Sequence, residues 1–140
     1  MDPRTVVRPF YEQCLTVSSS ADASQVGRVM GELLAPDFQS KNAAETKGKA
    51  QLVGQVQAFW KMVPDLKWHI EEMLQDGQRV VVRSTATGTP KAGEFMGVPV
   101  DGKRSFKIMT IDIHTVVGQQ ITEVFHLEEW GTAMRQLKGA

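Results

Sequence analysis

The chain has 140 residues, with 16 Lys and Arg against 16 Asp and Glu, and so no formal net charge. A single domain of that length buries roughly two thirds of the surface its unfolded form exposes. The balanced charge removes any drive toward nucleic acid or an anionic membrane and leaves a small neutral or weakly charged ligand as the expected partner. No apolar run approaches the ~20 residues of a spanning helix, and Arg4, Arg8 and Glu12 stand where a secretory leader needs its apolar core, so a cytoplasmic protein is expected. Cys14 is the one cysteine, which excludes an internal disulfide, argues against a thiolate metal site and reads as packing.

After Pro3, the residues Val6, Val7, Phe10, Cys14 and Val17 recur at helical spacing until the Ser18-Ser19-Ser20 cluster ends the pattern. Asp22 with Gln25 three positions on predicts a capping box for a second helix, whose buried stripe is Val26, Val29, Met30, Leu33 and Leu34, up to Pro36. Residues 37–48 read as polar and irregular. A third helix carries Leu52, Val53, Val56, Phe59, Trp60 and Val63 on one side and stops at Pro64.

The period then changes to two. Leu66 to Gln75 alternates, Asp76-Gly77 signals a hairpin into Arg79 to Thr89, and Glu94 to Val98 is a short strand. A long strand from Arg104 to Val116 turns at Gly118-Gln119 into Gln120 to Leu127. Trp130, Ala133, Met134 and Leu137 then mark a short final helix. The expected fold over residues 1–140 is one α+β domain, a cone-shaped barrel in which three N-terminal helices pack on a curved antiparallel sheet and a short helix closes the chain. Both faces of the long strand are apolar, which predicts a homodimer through the sheet.

The segments PDLKWHIEEM, DGQRVVVRSTATGT, GEFMGVPVDGK, TIDIH and HLEEWGTAMRQL resemble the SnoaL-like polyketide cyclase family, also called ester cyclases, within the nuclear transport factor 2-like superfamily. The resemblance spans about residues 22–138. It implies a cone-shaped barrel, usually dimeric, without a cofactor, whose founding members close a polyketide ring by an intramolecular aldol reaction under acid–base control. In that family the acid–base carboxylate is typically an aspartate six residues after the glutamate opening the last strand and eight before the leucine of a terminal Gln-Leu. Both counts land on Glu129. The family's loop histidine before the GEF motif is replaced by Pro90-Lys91-Ala92, and Ile113 and Thr115 stand where some cyclases have polar pocket residues.

The chemistry is expected in the last hairpin, where two histidines and four carboxylates interrupt two apolar strands, because ionisable groups are costly to bury unless they are paired or used. A turn at Gly118-Gln119 puts His126 opposite Ile111 and Val124 opposite Ile113, so His126 shares a face with Met109, Ile111, Ile113 and Val124. His126 and Glu129 then form the expected acid–base pair. Asp112 and His114 fall on the opposite face, unless a bulge turns them inward, with His114 across from Glu123. Asp112 remains a candidate because it lies between two isoleucines. Phe59, Trp60, Met73, Met96 and Met109 suit an apolar substrate cavity, and Arg83 is expected to pair with Glu71 or Glu94. No metal is expected: there is no His-Glu-x-x-His motif, and a zinc site would need His114 and His126 on one face. The expected activity is a general acid–base reaction on a small hydrophobic carbonyl- or ester-bearing substrate, most simply an intramolecular cyclisation. Epoxide opening and non-catalytic ligand binding are the rivals.

Overall fold

Asp2 accepts a hydrogen bond from Arg4 N at 2.9 Å and begins α1 (Pro3–Pro9), with proline in the first turn where its missing amide proton costs nothing. Pro9 at the other end has no proton for the helical ladder, and the chain widens into a π-helical turn over Phe10–Cys14. In this computed structural model, residues 2–18 and 22–139 are described. The expected serine stop at Ser19 and Ser20 lies outside them. Helix α2 (Ser24–Leu33) follows. Asp22 Oδ1 accepts from Ser24 N, while the Gln25 side chain donates to Gln13 O rather than closing a capping box.

Residues 37–48 are not irregular: β1 (Leu34–Lys41) leaves α2 directly and β2 (Thr46–Gly48) returns along it. Pro36 breaks the alternation and falls where the pairing of β1 shifts, which hides the strand from a period-two reading. Helix α3 (Lys49–Met62) opens with Lys49 Nζ donating to Gly31 O and Leu34 O, a cation set against the carbonyl end of α2. The strands β3 (Lys67–Asp76), β4 (Arg79–Gly88), β5 (Gly93–Phe95), β6 (Val98–Val100), β7 (Phe106–Val117) and β8 (Gln120–Glu128) lead to α4 (Trp130–Lys138).

The main sheet has the order β2-β1-β8-β7-β4-β3, and β5-β6 is a separate hairpin. It is mixed, because β1 runs parallel to β8 while the other neighbours are antiparallel. The fold is the expected α+β barrel. Helices cover the inner face of the sheet over a core that includes Val7, Tyr11, Met30, Phe38, Leu66 and Ile121. On the outer face Leu74, Met109, Ile111, Phe125 and Leu127 are exposed. No helix among the described residues is long and apolar enough to cross a membrane.

The β7–β8 register decides which side chains reach the interior. Next to the turn the pairing is as expected, with Val117 opposite Gln120 and Val116 opposite Ile121. Thr122 is then an extra residue, a bulge, and Thr115 pairs with Glu123. Every later pair is displaced by one: Asp112 faces His126, His114 faces Val124 and Ile113 faces Phe125. A one-residue shift exchanges the two faces of a strand relative to its neighbour. Asp112 and His114 therefore point inward with His126, and Met109, Ile111 and Ile113 point outward.

Candidate active site

A cavity of about 100 Å³ opens between the inner face of the sheet and the helices. Its floor is polar, with Asp112, His126 and Glu128, and its walls include Phe10, Val56 and Trp68. Through Gln55, Phe59 and Met96 it adjoins a shallower groove of about 190 Å³. Met96 holds a left-handed φ of 51°, followed by Gly97 at 79°, so a methionine occupies a tight-turn position that favours asparagine or glycine. That strained residue sits at the cavity mouth, the kind of place where strain accompanies function.

Asp112 is 4% exposed. Its Oδ2 accepts a hydrogen bond from the Tyr11 hydroxyl at 2.6 Å, and the same hydroxyl oxygen lies 2.6 Å from His114 Nε2. Burial pushes the Asp112 carboxyl up to about 7; the Tyr11 hydrogen bond opposes this, and the nearby Glu128 charge adds to it more than His126 offsets. His114, wholly buried, is pushed down to about 3 by desolvation and is neutral. Tyr11 is held well above its ordinary value, chiefly by burial and then by the Asp112 charge.

His126 Nδ1 donates to Glu128 Oε2 at 2.8 Å, and Trp130 Nε1 donates to Glu128 Oε1 at 3.2 Å, so both oxygens of that carboxylate are engaged. The Glu128 hydrogen bond raises the His126 pKa against a smaller effect of burial, and the Glu128 and Asp112 charges add to the rise while Lys47 opposes it. The imidazolium form is thus favoured. Its Nδ1 is occupied, which leaves Nε2 for a ligand.

Glu129, the carboxylate expected to act, is placed elsewhere. At φ −79° and ψ 55° it leaves strand geometry as the N-cap of α4, and its side chain folds back so that Met109 N donates to Oε1 at 3.0 Å. It is exposed and absent from the cavity lining; its neighbour Glu128 is there instead. Of the expected substrate-contacting residues, Phe59, Met96 and Val124 line the cavity. Trp60 is core, its Nε1 donating to Cys14 O at 2.7 Å, and Met73 lies on β3 beside Arg4 and Glu72. Met109, Ile111 and Ile113 lie on the outer face of β7, and the Thr122 bulge in β8 puts His126 on the other side from them.

Arg83 pairs with Glu72 at 2.9 Å rather than with Glu71 or Glu94, because a bulge at Glu71 moves Glu72 opposite Arg83. Glu123 meets Lys41, not His114. The Thr122 bulge does bring His114 and His126 to one face, but Tyr11 occupies His114 Nε2. Among the described residues no three His, Cys, Asp or Glu side chains converge as metal ligands would. Tyr11 is the residue missed in the sequence. Its signal is present, since Val7, Tyr11 and Cys14 follow helical spacing and place a hydroxyl on an apolar face.

The family model for SnoaL-like polyketide cyclases matches residues 5–137, and the chain belongs to that family. A search of curated protein sequences gives no significant match. Among solved structures, IdmH from Streptomyces antibioticus, which carries a provisional polyketide cyclase assignment, is 25% identical over 99% of both chains with a TM-score of 0.79. A protein from Jannaschia sp. CCS1, provisionally a SnoaL-like polyketide cyclase, is 20% identical over 99% of this chain and 92% of its own, at TM-score 0.81. AclR from Streptomyces galilaeus, provisionally a hydroxylase, is 19% identical over 99% of this chain and 82% of its own, at 0.80. All three share the fold.

Proposed function

We propose that this SnoaL-like protein is an acid–base enzyme that cyclises a small hydrophobic carbonyl- or ester-bearing molecule, with Asp112 and His126 exchanging protons with the bound substrate. The observation that carries the reading is a buried carboxylate poised near neutrality, directly across the β7–β8 ladder from an imidazole whose charged form is favoured. A base works best when its pKa lies near the operating pH, and an acid beside it must hold a proton at the same time. Ionised Asp112 and protonated His126 favour each other electrostatically.

In the aldol-type step, Asp112 Oδ1 removes a proton from the carbon next to one carbonyl. The resulting enolate carbon forms a bond to a second carbonyl carbon, whose π electrons move to oxygen, and that oxygen takes the proton from His126 Nε2. Solvent exchange returns the proton from Asp112 and recharges His126. Each proton role is typically worth about 10²–10⁴ in rate. The apolar walls favour an uncharged reacting end, and the adjoining groove past Phe59 and Met96 accommodates the rest of a longer molecule. The acid–base role that the family's spacing gives Glu129 falls here to Asp112 on the cavity floor, since both oxygens of its neighbour there, Glu128, are already bonded.

A second copy of the chain over the outer face belongs to the same reading. Apolar side chains at Met109, Ile111, Phe125 and Leu127 would be covered, and the adjacent Arg83 and Glu72 offer opposite charges that a two-fold partner can match.

The test is hydrogen–deuterium exchange at the α-carbon of an aryl-substituted δ-diketone, followed by proton NMR together with formation of its cyclic aldol product. The wild-type protein is expected to accelerate both, Asp112→Asn neither, and His126→Gln the exchange more than the ring closure. Acceleration that survives in folded Asp112→Asn would overturn the assignment; binding of the diketone without any acceleration supports a ligand-binding module instead.

A further inference from the structure

Two local irregularities meet at one point of the interior. The π-helical turn carries Tyr11 to the sheet, and the Thr122 bulge in β8 sets His126 on the inner face that Asp112 and His114, two residues apart on β7, already share. Neither Tyr11 nor His114 lines the cavity, so neither can touch a ligand there; both act through Asp112.

The direction of this chain of hydrogen bonds follows from one orphan atom. His114 Nδ1 is buried with no hydrogen-bond partner. A neutral imidazole carries its proton on one nitrogen only, and an unpaired buried N–H is rarer and costlier than an unpaired acceptor lone pair. The proton therefore belongs on Nε2, which donates to the Tyr11 oxygen. The Tyr11 proton must then point at Asp112 Oδ2. For Oδ2 to carry a proton the whole chain would have to reverse and leave Nδ1–H unpaired.

We propose that His114 and Tyr11 form a one-way hydrogen-bond chain that keeps Asp112 Oδ2 a permanent acceptor and confines proton exchange to Oδ1, the oxygen left to the cavity. Both are positioning residues. The inference deepens the acid–base reading by naming which oxygen works and what prepares it. A single free oxygen aimed at the ligand supplies the fixed geometry on which proton transfer depends.

The other groups around Asp112 do not substitute for this chain. On β8, His126 and Glu128 are bonded to each other, and β4 presents uncharged Val82 opposite Asp112. Ser40 on β1 and Gln55 on α3 line the cavity without charge, and Lys47 on β2 acts on His126.

The experiment is NMR titration of the full chain labelled at Asp carboxyl carbons and His ring nitrogens, which needs no substrate. His114 is expected as the Nε2–H tautomer and unchanged between about pH 5 and 9. Removing the donor in Tyr11→Phe is expected to raise the Asp112 midpoint by about one pH unit or more, since a hydrogen bond to a charged group is worth about that much. His114→Gln, whose amide can still donate to Tyr11, is expected to keep the midpoint near wild type, and His114→Leu to raise it. A purely structural role would move stability in all three variants and the midpoint in none. An Nδ1–H tautomer at His114, or an unmoved Asp112 midpoint in folded Tyr11→Phe, overturns the proposal. If the titration behaves as expected but α-carbon exchange fails, the chain stands and the enzymatic reading falls.

Discussion

The two faces of β7 are the reverse of what a half-buried strand usually presents. Inward, Thr110, Asp112 and His114 are 1%, 4% and 0% exposed; outward, Met109 and Ile111 are 43% and 40% exposed. Apolar burial drives folding and polar burial opposes it, so each face costs stability in isolation. The inner face offsets its cost by hydrogen bonding: Thr110 Oγ1 accepts from Trp68 Nε1 at 3.0 Å, and Tyr11 serves Asp112 and His114. The outer face has no such internal remedy. The contrast separates a polar surface satisfied from within from an apolar one left open to solvent.

The largest expected effect breaks the inner face. Asp112→Asn should lower α-carbon exchange by about 10²–10⁴-fold, the usual worth of a positioned base. The same change should stabilise the protein at pH 8. The Asp112 pKa is raised from 3.8 to about 7 on folding, so between those values the unfolded chain ionises while the native carboxyl keeps its proton. Stability is therefore lost as pH rises through that window and stays low above it. Asparagine has no such loss, and after its own desolvation a net gain of roughly 1–3 kcal/mol, several degrees in Tm, is expected at pH 8. Near pH 3.5 the variant should hold no advantage. His114 acts in the opposite sense, because its pKa falls to about 3 and stability is lost as pH drops below 6.5; it is common to both proteins and cancels in the comparison. Calorimetry across pH 3.5–8.5 that finds the variant no more stable at the alkaline end would overturn the cost assigned to ionising buried Asp112.

Next in size is the outer face. Placing charges at its centre with Ile111→Asp and Leu127→Asp should convert the proposed dimer into a monomer in light scattering at micromolar concentration, because an unpaired buried carboxylate costs several kcal/mol. The Asp112 titration should not follow, since these side chains leave β7 and β8 on the other side. A monomeric wild-type protein would leave the exposed apolar strip without the partner assigned to it.

The strand order of the last hairpin and the turn at Gly118 were legible because apolar alternation and turn residues are local signals. The face of Asp112 was not. The bulge at Thr122 inserts one residue without any glycine or proline to mark it, and one residue is enough to exchange inside for outside. Strand β1 escaped for a related reason: Pro36 and Asp37 break its alternation, and its partner β8 lies some 80 residues away, in a parallel pairing no local pattern announces. Tyr11 falls at helical spacing with Val7 and Cys14, but nothing nearby in the chain names Asp112 as its acceptor.

The smallest effects distinguish two adjacent glutamates. Glu128 bonds His126, whose pKa is raised on folding, so that interaction contributes stability below the unfolded value of 6.5 and loses it as pH climbs through the folded one. Glu128→Gln should lower the His126 midpoint in a ring-proton titration and cost stability at pH 6 but little at pH 9. Glu129→Gln keeps a carbonyl oxygen to accept from Met109 N, so neither the midpoint nor α-carbon exchange should move, and stability should change by under about 0.5 kcal/mol. A family count along the sequence points at Glu129, while the chain's turn into α4 points its neighbour at the cavity. If Glu129→Gln lowered exchange and Glu128→Gln did not, the turn into α4 would have to open when substrate binds, and the count would be right after all.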